Sequence, residues 1–413
     1  MPKSDNMRHL EKGLALNTHV TSKNRWFKSA MSESLGTPEH YPSEHLIHLY
    51  QVWAEGGAGI VVTGNVMVDR TALGEPGNVV LDSEKYLNQF EKWAQAGTRN
   101  ETLLFMQLNH PGKQVIKGVA SEAVAPSAVP YAPSFQRFFP PCRALTRKEI
   151  HRIISQFANA ASLAQKSGFS GVQLHAAHGY LISQFLSPVH NRRYDHYGGT
   201  VENRFRFLKE IFLAVREATG PAFPISVKLN SADFMKAGFS QDDARFVIHQ
   251  LEQEGADLIE ISGGTYERPA MFMKEVKEST KQREAYFAEF ANSIKNETTV
   301  PIALTGGFRS QIAMTQALEN NTTDMIGVAR PLVLYPDLPN QFATGTMKRA
   351  DLPSITTGIK TIDQAALLEL LWYARQLHRI GKGKEPLLTL SARTSLIYSV
   401  LKNGLSIFQK RRV

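Results

Sequence analysis

Apolar residues recur along this chain in two alternating rhythms. Short, nearly continuous runs appear at Gly59–Thr63 (GIVVT), Thr102–Leu108 (TLLFMQL), Pro224–Leu229 (PISVKL), Ala256–Ser262 (ADLIEIS), Pro301–Thr305 (PIALT) and Asp324–Val328 (DMIGV). Runs of that length and composition predict strands buried on both faces. Asn24–Ala30 and Gly171–His175 bring the number of such strands to eight. Longer stretches between them carry the helical period. Ser43 caps a helix over Glu44–Glu55 that Gly56 and Gly57 close, and Asp82 or Ser83 begins one that reaches Gly97. Thr146 and Glu149 form a capping-box pattern for a helix to Ser167. Further helices are predicted over Val201–Thr219, Ser240–Glu254, Glu284–Asn296 and Arg309–Asn320. Leu10–Val20 gives only a weak strand pattern, and the Pro-rich stretch 123–143 has no period, so it reads as a loop over one end.

Strand and helix alternate with no second set of strands. That predicts an α/β chain folded as a (β/α)8 TIM barrel with a C-terminal helical extension, with an open doubly wound sheet as the alternative. Polar residues favour the barrel. They gather after the C-terminal ends of every strand but the fifth, and a closed barrel brings all those ends to one face. Residues 1–345 are assigned to the barrel and 346–413 to the extension, in which Thr361–Arg379 has an amphipathic pattern.

Composition then narrows the chemistry. With 42% hydrophobic and 21% charged residues, the chain reads as a globular protein. It has neither a bilayer-length apolar run nor a secretory leader at Met1–Leu16, which makes the cytoplasm the expected location. Its one cysteine, Cys142, excludes an intrachain disulfide and any cysteine-ligated iron–sulfur cluster. The net charge of +9 comes mostly from the tail after Trp372, where Arg375, Arg379, Lys382, Lys384, Arg393, Lys402, Lys410, Arg411 and Arg412 face one acid, Glu385. A nearly neutral body argues against nucleic acid as partner. The tail reads as a docking helix with a basic end, with weak contact to an anionic membrane as the alternative reading.

The chemistry concentrates in Val172–Arg206, where a buried strand ends in His175, His178 and Tyr180. His175-Ala-Ala-His178-Gly-Tyr180, followed by Gln184, Ser187-Pro188, Asn191, Arg193, Asp195, Tyr197-Gly-Gly199, Glu202-Asn-Arg204 and Arg206, resembles the signature of the Old Yellow Enzyme family. Those are FMN-dependent ene reductases on a TIM barrel, and the resemblance extends from about Leu14 to Leu338. It implies FMN as cofactor, NADH or NADPH as reductant, and hydride transfer through flavin N5 to the β-carbon of an enone or other activated alkene. On that reading His175 and His178 hold the substrate oxygen and Tyr180 protonates the α-carbon. Gln107, in QLNHPGK, would meet the pyrimidine edge of the flavin. Lys228, where the family usually has arginine, would set a cation beside it. Ala30, Met31 and Ser32 replace the family's Pro-Met-Thr or Pro-Met-Cys beside the ring, and Gly64 matches a further backbone contact.

Thr305-Gly306-Gly307-Phe-Arg309 and Gly327-Val-Ala329-Arg330-Pro331 follow the seventh and eighth strands. Barrels bind phosphate there, because glycines admit backbone N–H groups to an anion. The rival reading is a metal-dependent hydrolase on a TIM barrel that uses His110, His175 and His178, since imidazole is the commonest metal ligand; the flavin reading assigns no metal. A non-catalytic binding barrel is a third. Flavin barrels with a cysteine-ligated cluster, and tRNA-modifying ones with a catalytic cysteine, are disfavoured by Cys142 standing alone. The substrate lid is expected from 125–141 and 264–281. The identity of the substrate and the oligomeric state are left open.

Overall fold

The apolar runs form the staves of a closed ring. They are β1 (Trp26–Lys28), β2 (Ile60–Val62), β3 (Leu103–Asn109), β4 (Gly171–Ala176), β5 (Ile225–Asn230), β6 (Leu258–Ser262), β7 (Ile302–Thr305) and β8 (Met325–Val328). In this computed structural model, which describes residues 9–120, 122–136, 139–264, 284–359, 363, 367–398 and 401, every neighbouring pair of these strands is parallel. β8 returns to β1 with Ile326 beside Trp26, so the sheet is a barrel and not an open doubly wound sheet. Such a sheet is covered on both faces, which is why Ile60, Val61 and Val62 are all buried.

Helices wrap the outside: α1 (Glu44–Glu55), α2 (Leu87–Gly97), α3 (Arg147–Lys166), α4 (Val201–Thr219), α5 (Gln241–Gln253), α6 (Ala288–Lys295) and α7 (Gln311–Glu319). Ser43 caps α1, and Thr146 with Glu149 makes the capping box of α3. A final helix, α8 (Leu367–Gly381), buries Trp372, Leu377 and Ile380 and lies against α1. No helix among the described residues is long and apolar enough to cross a membrane. Residues 402–413, with the last four cations of the tail, and 265–283, with nearly all of one predicted lid, lie outside the described residues.

Strand alternation sorts the barrel interior into layers. Phe27, Ile60, Val62, Phe105, Leu258, Ala303 and Met325 form an apolar floor, joined by Leu16 from the hairpin that pairs Leu14–Ala15 with Thr21–Ser22. Other interior positions are polar: Ser29, Gln107, Gln173, Ser226, Lys228 and Glu260 are buried and Thr305 half-buried. At the mouth stand Asn109, His175, Asn230 and Ser262.

Some elements differ from expectation. α6 begins at Ala288 instead of Glu284, because Glu284 adopts a left-handed φ of 61° and its carboxylate accepts the backbone N–H groups of Arg309 and Ser310 at 2.7 and 2.8 Å. The Pro-rich stretch contains a parallel strand pair, Ala123–Ala125 with Cys142–Ala144. Ser83 precedes a short 3-10 turn and makes no side-chain cap, so α2 proper starts at Leu87.

Candidate active site

The interior positions of β4 end in His175, and the chain then turns sharply across the mouth. The peptide N–H of Ala177 donates to His175 Nδ1 at 3.3 Å, which leaves the proton of the neutral ring on Nε2. Burial, with Lys228 adding repulsion, holds both His175 and His178 well below the usual imidazole range, so both are neutral. His178 sits at φ 61°, a conformation uncommon outside glycine and found at sites that need a particular aim. Its N–H donates to Asn230 Oδ1 at 3.3 Å, and its Nε2 lies 2.8 Å from Ser262 Oγ. Tyr180 packs edge-on against His175 with ring centroids 4.8 Å apart. Asn65 Nδ2 donates to the Tyr180 hydroxyl oxygen at 3.3 Å, and Asn109 Nδ2 donates to Asn65 Oδ1 at 3.2 Å.

The polar residues beyond Tyr180 are scaffolding for this turn. Gln184 donates to Gly179 O at 2.7 Å and Pro111 O at 3.2 Å; Asn191 ties Phe185 O to Tyr197 O; Arg193 is paired with Asp195. Gly112 is glycine because a Cβ there would come within 2.4 Å of the Gln184 amide, at a φ of 60°.

Around the rest of the mouth, Ser32 donates to the Glu75 carboxylate after β1, following Ala30 and Met31. The N–H of Gly64 donates to Glu33 Oε1 and to Tyr50 OH, both at 2.9 Å, and its carbonyl accepts from Thr63 Oγ1 at 2.8 Å, so its N–H is spent within the protein. Gln107 Nε2 donates to Gln173 Oε1 at 2.7 Å. Lys228 does not stand alone: its Nζ is 2.9 Å from Glu260 Oε1, with the two side chains 4% and 0% exposed. After β7, Gly306 and Gly307 take φ values of 133° and 95°, and a Cβ on Gly307 would lie 1.6 Å from Glu284 O. After β8, Ala329 leads to Arg330, whose guanidinium is 3.0 Å from Glu369 of α8.

These residues fit a flavin mononucleotide. Two left-handed glycines at the exit of β7, with an arginine after the adjacent β8, suit its phosphate. The mouth also keeps unspent acceptors: Asn109 Oδ1 is buried without a partner, and no protein donor reaches Gln107 Oε1 among the described residues. Residues 14–349 match the profile of the NADH:flavin oxidoreductase / NADH oxidase family. The chain belongs to this family, that of Old Yellow Enzyme.

The Old Yellow Enzyme assignment is supported along most of the chain. It is 38% identical over 354 residues to the NADH-dependent flavin oxidoreductase iliE of Hypocrea jecorina, covering 80% of this chain and 88% of that one. The iccE enzyme of Talaromyces variabilis, of the same description, is 40% identical over 357 residues, with 80% and 85% covered. Among solved structures, the old yellow enzyme homologue of Zymomonas mobilis superposes with a TM-score of 0.70 at 26% identity, covering 83% of this chain and 94% of that one. Like other Old Yellow Enzymes, this protein is an FMN oxidoreductase that draws on a nicotinamide reductant.

The metal-hydrolase alternative finds no support. Among the described residues no group of three His, Cys, Asp or Glu is placed to hold a metal. His110 Nδ1 instead accepts the N–H of Gly112 at 3.1 Å. Sequence reasoning missed Asn65, Gln173 and Glu260. A signal existed for the last two: polar residues at alternate positions inside apolar strands, as in VQLH, SVKLN and IEIS, mark side chains that point into the barrel.

Proposed function

We propose that this protein reduces activated alkenes, α,β-unsaturated carbonyl compounds above all, at the expense of NADH or NADPH. The observation that carries this reading is the edge-on pair of His175 and Tyr180 at 4.8 Å, a neutral N–H donor beside a phenol at the mouth of the barrel. FMN, when bound, supplies hydride chemistry between nicotinamide and substrate.

The protein's residues do the rest. Neutral His175, with its proton on Nε2, and His178 donate to the substrate oxygen and draw electron density from the alkene, so the β-carbon becomes electrophilic. Neutral imidazoles suit this role, because they bind the carbonyl oxygen without surrendering a proton to it. Tyr180 gives its phenolic proton to the α-carbon. Gly306, Gly307, Ala329 and Arg330 would hold the phosphate; Ala30, Met31, Ser32, Gly64, Gln107 and Lys228 would surround the ring. Because Glu260 balances Lys228, the ring would meet a neutralised pair and not an isolated cation. The extension, residues 346–413, would close the phosphate end through Glu369.

The test is an absorbance spectrum of the purified protein, then anaerobic titration with NADH and NADPH, then cyclohexenone. Flavin bands that bleach with nicotinamide and return with the enone are expected. Flavin that bleaches but recovers only in oxygen would remove the alkene from the reading and leave an oxidase.

A further inference from the structure

The polar layer inside the barrel has a direction. Glu260, fully buried, accepts on Oε1 from Lys228 Nζ at 2.9 Å and Thr305 Oγ1 at 2.7 Å, and on Oε2 from Gln173 Nε2 at 2.9 Å. A carboxylate beside a lysine only accepts. Gln173 must therefore turn its amide nitrogen towards Glu260, where that nitrogen also lies 3.3 Å from Ser226 Oγ. Its carbonyl oxygen then faces the other way and takes Gln107 Nε2 at 2.7 Å. Gln107 in turn is left presenting Oε1, the acceptor that no protein donor reaches among the described residues. The second arm obeys the same logic: Thr305 spends its proton on Glu260, so Ser29, 2.7 Å away, must be the donor of that pair.

A glutamine amide can face a ligand with either end, and the two ends recognise opposite partners. Here the choice is made two residues away. We propose that Glu260 and Gln173 are positioning residues that fix Gln107 with its carbonyl oxygen towards the cofactor, matched to the imide N–H of the oxidised flavin ring. A reversed Gln107 would set NH2 against N–H, losing one hydrogen bond and opposing two donors. The inference rests on the reading that Gln107 meets the ring. Among the described residues, the side-chain hydrogen bonds of Gln173 and Glu260 all run to other strand residues of the barrel interior; Gln173 reaches Gln107 directly, and Glu260 reaches it through Gln173.

The test is a double-mutant cycle read by FMN fluorescence on protein stripped of its flavin. Gln173→Met preserves shape and removes the relay, while leaving the Lys228–Glu260 pair in place. It should weaken FMN about three- to tenfold, the range of one neutral hydrogen bond. Gln107→Met should weaken it at least as much, and adding Gln173→Met to Gln107→Met should change nothing further. The visible bands of bound flavin should shift alike in both single variants.

Wild-type affinity in Gln173→Met, or a double variant weaker by the product of the two singles, would overturn the inference while leaving the Gln107 contact intact. Unchanged affinity in Gln107→Met would instead remove that contact, and the relay with it. If Gln173→Met does not fold, Glu260→Gln takes its place: it lets Gln173 turn over and also unpairs Lys228, so its effect on FMN affinity must be smaller in the Gln107→Met background than in the native protein, the remainder running through Lys228. An effect of equal size in both backgrounds would overturn the proposal.

Discussion

Removing the charge of Lys228 should cost stability because it strands Glu260. The two side chains are 4% and 0% exposed, and their ion pair is 2.9 Å long. Breaking a buried pair from one side costs about 3–5 kcal/mol, whereas replacing both members is close to neutral. Glu260 keeps two donors when Lys228 is gone, Thr305 and Gln173, which places Lys228→Met near ~3 kcal/mol. For a chain of 413 residues, an unfolding entropy of about 2.1 cal/mol/K per residue gives ~0.9 kcal/mol per degree, so the midpoint should fall by about 3–4 °C. The companion variant, Lys228→Met with Glu260→Gln, should recover to within ~1 kcal/mol of the native protein. Urea unfolding of the holoenzyme, followed by tryptophan fluorescence, measures all three proteins. Equal loss in the single and double variants would refute the reasoning, because the cost would then lie in packing around the lysine stem and not in an unpaired charge.

Further outcomes follow from other parts of the structure. Tyr180→Phe should leave flavin reduction by nicotinamide intact and slow reoxidation by an enone by about 10²–10⁴-fold, the usual worth of a positioned general acid; unchanged stopped-flow reoxidation would take Tyr180 out of that role. Burial lowers His110 to about 4 and His190 to about 3, and depresses His175 and His178 well below 6.5. The unfolded chain takes up protons below pH 6.5 that these folded sites refuse. Stability is therefore fully present above 6.5 and is lost as pH falls from there towards 4 and 3, by up to ~1.4 kcal/mol per pH unit for each histidine. Urea midpoints at pH 8, 6.5 and 5 check the sign, and a midpoint that rises on acidification would contradict it. Gly307→Ala places a Cβ 1.6 Å from Glu284 O at a φ of 95°, so the loop must shift. FMN affinity in that variant should drop at least tenfold, as read by fluorescence quenching, and a wild-type value would mean the loop does not contact phosphate.

How far this structure can be read from sequence depends on how local each cause is. The strands were legible to within two residues because a parallel barrel buries both faces, and that demand is written in consecutive positions: Ala256–Ser262 was predicted and β6 is Leu258–Ser262. Helix ends set by their own caps were equally plain, as at Ser43 and Thr146. Where a distant partner decides, sequence fails. Glu284 has the composition of a helix start, yet its carboxylate is drawn to backbone 25 residues onward and its φ turns positive. The strand pair 123–125 with 142–144 spans a proline-rich loop whose period is too short to see. Polar residues at the strand ends were visible, but not which would meet: that Lys228 is matched by Glu260, and Arg330 by Glu369, depends on register and on the docking of α8.

The pairing of β8 with β1 has a consequence for how the protein is made. Trp26 finds its neighbour Ile326 only after 300 further residues have been synthesised. Until then β1 carries one bare row of peptide groups, an edge able to pair with any passing strand. A nascent chain whose strands pair in order of synthesis is a growing open sheet, with an edge exposed to aggregation until the last stave arrives. Truncations that stop short of Met325 should consequently be insoluble rather than merely inactive, and dependence on chaperones should vanish once that residue is free of the ribosome.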